Sequence, residues 1–461
     1  MRWLPTVVFI VLAVFGRVST DRVLVLGETA AVKDTHSVFL NSVKERGHEL
    51  TIRTADDSQL ALFKHGQLIF DHLFVLAPGV QAFGGSLSPA EIAKFVDAGG
   101  NVLVAAGSNI GDALRELAVE HGFEFDEAGT SVIDHHNYDQ SLDSGDHTTL
   151  VVNKDQLLNA ELIVGNAAKL NPVLFKGVGL VAAKSNNLAL KIGVGLVAAK
   201  SNNLALKIVS AAGTAYSYDP KAARVVSPAI AGSRTILVGG LQSRNNARIV
   251  FSGSVDLFSN TYLAAKVTPS NPAVQGKGVV SGNADFAAAI AKWVMKESGV
   301  LRVKAVNHHK KGETVPPAED YFITEDVVYT IDVEELKDGK WVPFQGKDVQ
   351  LEFVRIDPFV RVTLKNTNGR LSAAFKLPDV LGVFKFSVDY RRVGYTHLHD
   401  VKQVSVRPLW HTQYERFIRS AYPYYASSFS MMIGLVLFSI VYLYHKEEPV
   451  KANKDSEKKK N

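Results

Sequence analysis

Residues 22–26 (RVLVL) form a short continuous apolar run, the pattern of a strand buried on both faces of a parallel sheet. Residues 36–46 then read as a helix, with Val38, Phe39, Leu40 and Val43 available for packing and Gly47 as its stop. Further strands are predicted at 50–54, 72–76 and 102–106. Between the last two, Ser88-Pro89-Ala90-Glu91 supplies an N-cap, a proline at the first helical position and a Glu at capping-box spacing, opening a helix that ends at Gly99-Gly100. Strands alternating with helices predict a doubly wound α/β domain over residues 21–128.

Residues 129–303 mix strands, at 235–238 and 248–252, with a helix at 285–297, and are expected to form a mixed middle domain. Inside this span, residues 177–192 (GVGLVAAKSNNLALKI) recur identically as residues 193–208. Solenoid repeats diverge and need three or more units to bury a core, so this tandem pair reads as a recent duplication or a gene-model error. The second copy is expected to be absent from the mature message or extruded as a loop.

From 304 to 410 the pattern becomes all-β. Short runs rich in β-branched and aromatic residues are separated by turn signals, of which Asp338-Gly339 and Asn368-Gly369 are the strongest. A membrane-proximal β-sandwich is predicted. A juxtamembrane linker, 411–423, leads to an apolar stretch, 424–444, that is long enough to cross the roughly 30 Å hydrocarbon layer as one helix. Tyrosines stand at both ends of it, as rings that prefer the headgroup zone should. Ser427, Ser430 and Gly434 place small side chains on one face of the span, where a neighbouring helix can approach.

The first twenty residues carry Arg2, an apolar run at 7–15 and small residues at Gly16, Ser19 and Thr20, the pattern of a signal peptide cleaved after Gly16 or Thr20. Signal peptide plus one C-terminal span predicts type I topology, with a cytosolic tail at 445–461. Lys458 and Lys459 stand four and three positions from the end of that tail and resemble a dilysine retrieval signal of the endoplasmic reticulum. No Asn-x-Ser/Thr sequon occurs, so the lumenal part would carry no N-glycan.

Composition narrows the chemistry. Hydrophobic residues at 46% and charged residues at 21% describe a chain that buries real cores and is neither disordered nor polytopic. A net charge of +5 is too small and too scattered for a nucleic-acid-binding stripe. The absence of cysteine removes disulfides, thiolate metal sites and cysteine nucleophiles together.

No catalytic constellation stands out. Residues 134–139 (DHHNYD) hold adjacent histidines, which on an extended strand point to opposite faces and cannot chelate together, so a polar loop network is expected. Asn307-His308-His309 meets the same objection. Gly253-Ser254-Val255-Asp256 follows a strand but is no Gly-x-Ser-x-Gly elbow, and Gly27 belongs to no dinucleotide fingerprint. Residues 242–248 (QSRNNAR) crowd polar side chains before an apolar strand. Arg244 and Arg248 are candidates for anion or partner contact there, against the reading of a plain surface turn. No catalytic, cofactor or metal residue is assigned.

Residues 54–57 (TADD), 132–138 (VIDHHNY), 247–254 (ARIVFSGS), 351–360 (LEFVRIDPFV) and 413–426 (QYERFIRSAYPYYA) together, and in this order, resemble the DDOST family of oligosaccharyltransferase subunits. The resemblance implies a non-catalytic, type I subunit of the endoplasmic-reticulum complex that transfers a preassembled glycan from dolichyl diphosphate to Asn of Asn-x-Ser/Thr. It implies a first domain like the class I glutamine amidotransferase sheet, whose cysteine nucleophile this chain cannot supply. The partners it implies are the ribophorins, the DAD-type small subunit and the STT-type catalytic subunit, in the vicinity of the translocon, with no cofactor. The alternative is a membrane-anchored lumenal glycan- or cargo-binding protein of the early secretory pathway.

Overall fold

The structure, a computed structural model, describes residues 21–182, 205–222, 228, 230–271, 278–316, 320–337 and 339–447. The signal-peptide residues, Lys458 and Lys459 lie outside the described residues. A nine-stranded sheet organises the first part of the chain. Its order is Glu49–Thr54, Arg22–Gly27, His72–Leu76, Asn101–Ala105, Arg248–Ser252, Ile236–Gln242, Leu180–Ala182 and Phe123–Phe125, with Ala205–Ser210 also on Ile236–Gln242. The first five are parallel. Ile236–Gln242 reverses direction and the strands beyond it pair antiparallel.

Alternation along the strands sends side chains to two cores. Val23 and Val25 pack with the helices Ser37–Glu45 and Asn283–Val294 on one face, while Leu24 and Leu26 pack with Pro89–Asp97 and Asp112–Glu120 on the other. The helix Pro89–Asp97 begins as its residues dictate: the Ser88 hydroxyl accepts from Glu91 N at 3.2 Å. It stops where Gly99 turns to φ +100° and Gly100 passes against the Phe95 ring, leaving no room for a Cβ.

The sheet crosses the expected boundary at residue 128. Strands 236–242 and 248–252, from the span read as a separate middle domain, complete the first sheet by pairing Ile249 with Val102 and Phe251 with Val104. Both copies of the tandem repeat contribute an end to this sheet: Leu180 of the first pairs with Ile236, and Ala205 of the second pairs with Leu241. The rest of the repeat, residues 183–204, lies outside the described residues.

From Val300 onward two five-stranded sheets enclose one core. One contains Val300–Lys310, Asp326–Lys337 and Arg370–Lys376; the other contains Gln350–Val354, Gly382–Tyr390 and Leu398–Arg407. Asp326–Lys337 shows why: Val327, Tyr329, Ile331 and Val333 face inward at every second position and are almost wholly buried. The chain then leaves the sheets and forms the helix Tyr422–Tyr444, whose side chains touch no core. Among the described residues it is the one helix long and apolar enough to cross a membrane.

Candidate functional site

The polar stretch at 242–248 lies in the turn between the strands Ile236–Gln242 and Arg248–Ser252, and there the two folded parts of the chain meet. Gln242 Nε2 donates to Tyr395 O at 2.9 Å, and Asn246, at φ +64°, accepts from His397 N at 2.7 Å. Both partners belong to the loop that joins Gly382–Tyr390 to Leu398–Arg407. Asn245 turns the other way and donates to Val96 O and Asp97 O at 2.8 and 2.9 Å, satisfying carbonyls at the C-terminus of a helix.

Arg248 is completely buried. Its guanidinium donates to Trp293 O (2.6 Å), Ser298 O (2.8 Å), Gly299 O (3.1 Å) and Gly394 O (3.1 Å), and lies 4.9 Å from the centroid of the Trp293 ring. Burial pulls its pKa down to about 9, which still leaves it charged at neutral pH. The planar fork of Arg reaches four carbonyls from three segments, a geometry a lysine ammonium cannot match. Around it the backbones close tightly. Gly299 has φ +68°, and a Cβ there would stand 2.2 Å from Gly394 O. Thr396 N donates to Gly299 O at 2.8 Å while its hydroxyl accepts from Leu301 N at 2.8 Å.

Arg248 therefore spends its donors inside the molecule, and of the two candidate arginines Arg244 is the exposed one. It lines a cleft of about 450 Å³ with Leu206, Arg391, Arg392, Tyr395 and His397. Arg391 and His397 both reach Asp389, at 3.2 and 2.8 Å, and Arg392 reaches Asp348 at 2.6 Å. Burial raises the pKa of each of these two carboxyls, but bonds from Arg392 and Tyr390 to Asp348, and from His397 and Arg391 to Asp389, outweigh it and hold both below their ordinary value. Arg244 has no hydrogen-bond or ion-pair partner among the described residues.

The other sequence candidates are placed in structural networks. Asp134 accepts from His136 N, Asn137 N, Asn137 Nδ2 and the Thr214 hydroxyl, so residues 135–137 form a bend within the polar loop network expected there. His135 Nε2 meets the Tyr216 hydroxyl at 2.9 Å. His308 stands on a strand, bonded to the Tyr321 hydroxyl at 2.8 Å and stacked on Phe386. Ser254 Oγ accepts from Leu257 N at 3.2 Å and so starts the turn at Asp256–Phe258. Among the described residues no group of three or more His, Asp or Glu side chains is placed to hold a metal ion.

Two residues central to the junction carry little signal in the sequence. Gly394 reads as one more turn glycine, and Trp293 as one more apolar position of a helix. A Cβ at Gly434 would meet nothing within 4 Å beyond its own helix backbone, and the Ser427 and Ser430 hydroxyls bond to carbonyls of their own helix, Tyr424 O and Ser427 O, at 2.9 Å. That face of the span is small and has its hydroxyl donors satisfied.

Two family descriptions match in tandem: OST48, N-terminal domain, over residues 16–297, and OST48 middle domain, over residues 308–446. The gap between them falls beside the Arg248 junction. The dolichyl-diphosphooligosaccharide–protein glycosyltransferase 48 kDa subunit of Caenorhabditis elegans is 80% identical to the chain and covers 100% of each sequence. The proteins of the same name from Danio rerio and Drosophila melanogaster are 52% and 50% identical, covering 93% and 94% of this chain and 92% and 94% of their own. By these matches over nearly its whole length, the chain belongs to the OST48 family.

Proposed function

We propose that this chain is a structural and assembly subunit of oligosaccharyltransferase that does no chemistry itself, the complex around it transferring a preassembled glycan from dolichyl diphosphate to Asn of nascent chains. Family membership over nearly the whole chain carries this reading. The first domain is read as a relative of the class I glutamine amidotransferase sheet that keeps the architecture without the nucleophile, since fold does not carry function and the chain has no cysteine. The folded domains stand in the lumen of the endoplasmic reticulum, Tyr422–Tyr444 spans its membrane, and Lys458 and Lys459 return escaped protein from the cytosolic side.

The partners are the other subunits: the ribophorins, the DAD-type small subunit and the STT-type catalytic subunit. Two surfaces suit them. Arg244, at the mouth of the junction cleft, offers a guanidinium to a partner carboxylate, and Ser427, Ser430 and Gly434 offer the span a close helix–helix contact. Purified chain incubated with lipid-linked oligosaccharide and an acceptor peptide tests the non-catalytic assignment. No transfer is expected, and transfer by the chain alone overturns it.

A further inference from the structure

The β-sandwich has two poles. At one, Gly299 and the loop 391–397 seat on the α/β domain. Strand register defines the other: Gly382 stands opposite Val406, Val354 opposite Lys385 and Asp326 opposite Lys376. The chain leaves the sandwich from this second pole, at Arg407, and residues 408–421 lead to the helix Tyr422–Tyr444. The same pole exposes large apolar side chains in its turns and at the adjoining strand ends. Ile356 is 84% exposed, Leu381 58%, Val383 51% and Phe359 46%.

These turns are held in place. Arg355 Nη1 donates to Leu381 O at 3.1 Å, tying two turns together, and the Phe359 ring packs edge-on against Phe384 at 5.6 Å. The tether carries Trp410, Tyr414, Phe417 and Ile418, all strongly exposed, of which Trp and Tyr are the kinds that settle at a membrane interface. Fully extended, the tether reaches at most about 50 Å, and its two short helical turns shorten it, so the pole stays at high local concentration beside the bilayer. Charges at this pole balance: Lys310 pairs with Glu325 at 2.9 Å and Arg407 with Asp320, and the exposed Arg355, Lys376 and Lys385 stand beside the equally exposed Asp326, Asp357 and Asp379. An apolar surface without excess charge suits zwitterionic lipid.

We infer that this pole is a lipid-contact surface: Ile356 and Leu381 enter the headgroup region of the bilayer that holds the helix, giving the lumenal domains a second membrane contact. The inference rests on the helix spanning the bilayer, which incorporation into a lipid disc reads independently. The absence of cysteine makes the test clean. Full-length chain carrying Ile356→Cys or Leu381→Cys is labelled with an environment-sensitive fluorophore and placed in phosphatidylcholine discs containing nitroxide-labelled phosphatidylcholine. Val393→Cys, 51% exposed near the opposite end of the strand Gly382–Tyr390, is the reference. Neither Ile356 nor Leu381 is buried, so labelling them leaves the fold intact. Labels at 356 and 381 should be quenched several-fold more than the label at 393, and equally so after adding phosphatidylserine. Equal quenching at all three positions overturns the inference. So does a label at 356 that lipid never quenches but that becomes shielded from aqueous iodide in the assembled complex, because that surface then belongs to a protein partner.

Discussion

The carbonyl oxygen of Gly394 lies 3.1 Å from Arg248 Nη2 and accepts a second bond from Trp293 Nε1 at 3.0 Å, so one backbone oxygen of the β-sandwich joins two buried side chains of the α/β domain. The orientation of the two domains depends on this contact and on the three further carbonyls that Arg248 holds. Arg248→Met removes the charge and leaves four carbonyls without that donor. Gly394 O keeps its bond from Trp293 Nε1, Gly299 O that from Thr396 N and Trp293 O that from Lys296 N, so what is lost is a set of hydrogen bonds to a charged donor, at about 1.5–3 kcal/mol for one such bond, and the change should cost roughly 3 kcal/mol. Arg248→Lys should recover only a fraction, because one ammonium cannot span the set. Denaturant unfolding of the full chain in detergent measures both.

The junction should also respond to a single methyl group. Gly299→Ala forces an alanine to φ +68° and drives its Cβ into Gly394 O. The backbone strain alone costs about 1–2 kcal/mol, and the clash adds to it. The expected result is uncoupling: limited proteolysis cuts between the two folded parts while each keeps its own protected core. A variant as resistant as the parent would show that the junction accommodates the methyl group.

Asp143 sets a pH limit on the loop that carries it. Its side chain is 3% exposed; burial raises its pKa, but four backbone N–H groups, of Gly145, His147, Thr148 and Thr149, outweigh this and hold it below the model-peptide value. A carboxyl lowered by folding stabilises the protein fully above about pH 4 and loses that contribution as pH falls through the folded pKa. Asp143→Asn should therefore cost about 1.5–3 kcal/mol at pH 7. The difference from the parent should shrink as pH drops below 4. Urea midpoints across that range give the answer.

Much of the fold was legible where the signal is local. Ser88-Pro89 marks a helix start because a hydroxyl and a fixed φ act within one turn, and the alternation of Asp326–Lys337 shows which face is buried. The pairing of Arg248–Ser252 with Asn101–Ala105 was not legible, because its two strands lie more than 140 residues apart and each reads equally well in either domain. Arg248 illustrates the limit at the site. Arginine is rarely fully buried, so a polar run before a strand reads as surface, and only the four carbonyls supplied by distant segments make burial tolerable. Arg244, four positions before it in the turn, stays outside.

In the span, Gly434→Leu should leave membrane insertion intact, since leucine favours the bilayer centre. It should weaken association with the small membrane subunits by filling the approach that Gly434 leaves open. Subunit recovery after affinity purification reads the effect, and unchanged recovery means the glycine serves no contact. If the tail acts as a retrieval signal, Lys458→Ser with Lys459→Ser should let a reporter bearing it escape the endoplasmic reticulum. A reporter that stays put would discard the retrieval signal.

A chain of this family should work as a fixed part of a larger membrane assembly. Affinity purification of the tagged full-length chain from membranes in mild detergent, followed by quantification of what comes with it, tests this most directly. The ribophorins and the STT-type catalytic subunit should be recovered in fixed proportion to the chain. Recovery of the chain as an isolated monomer would contradict it.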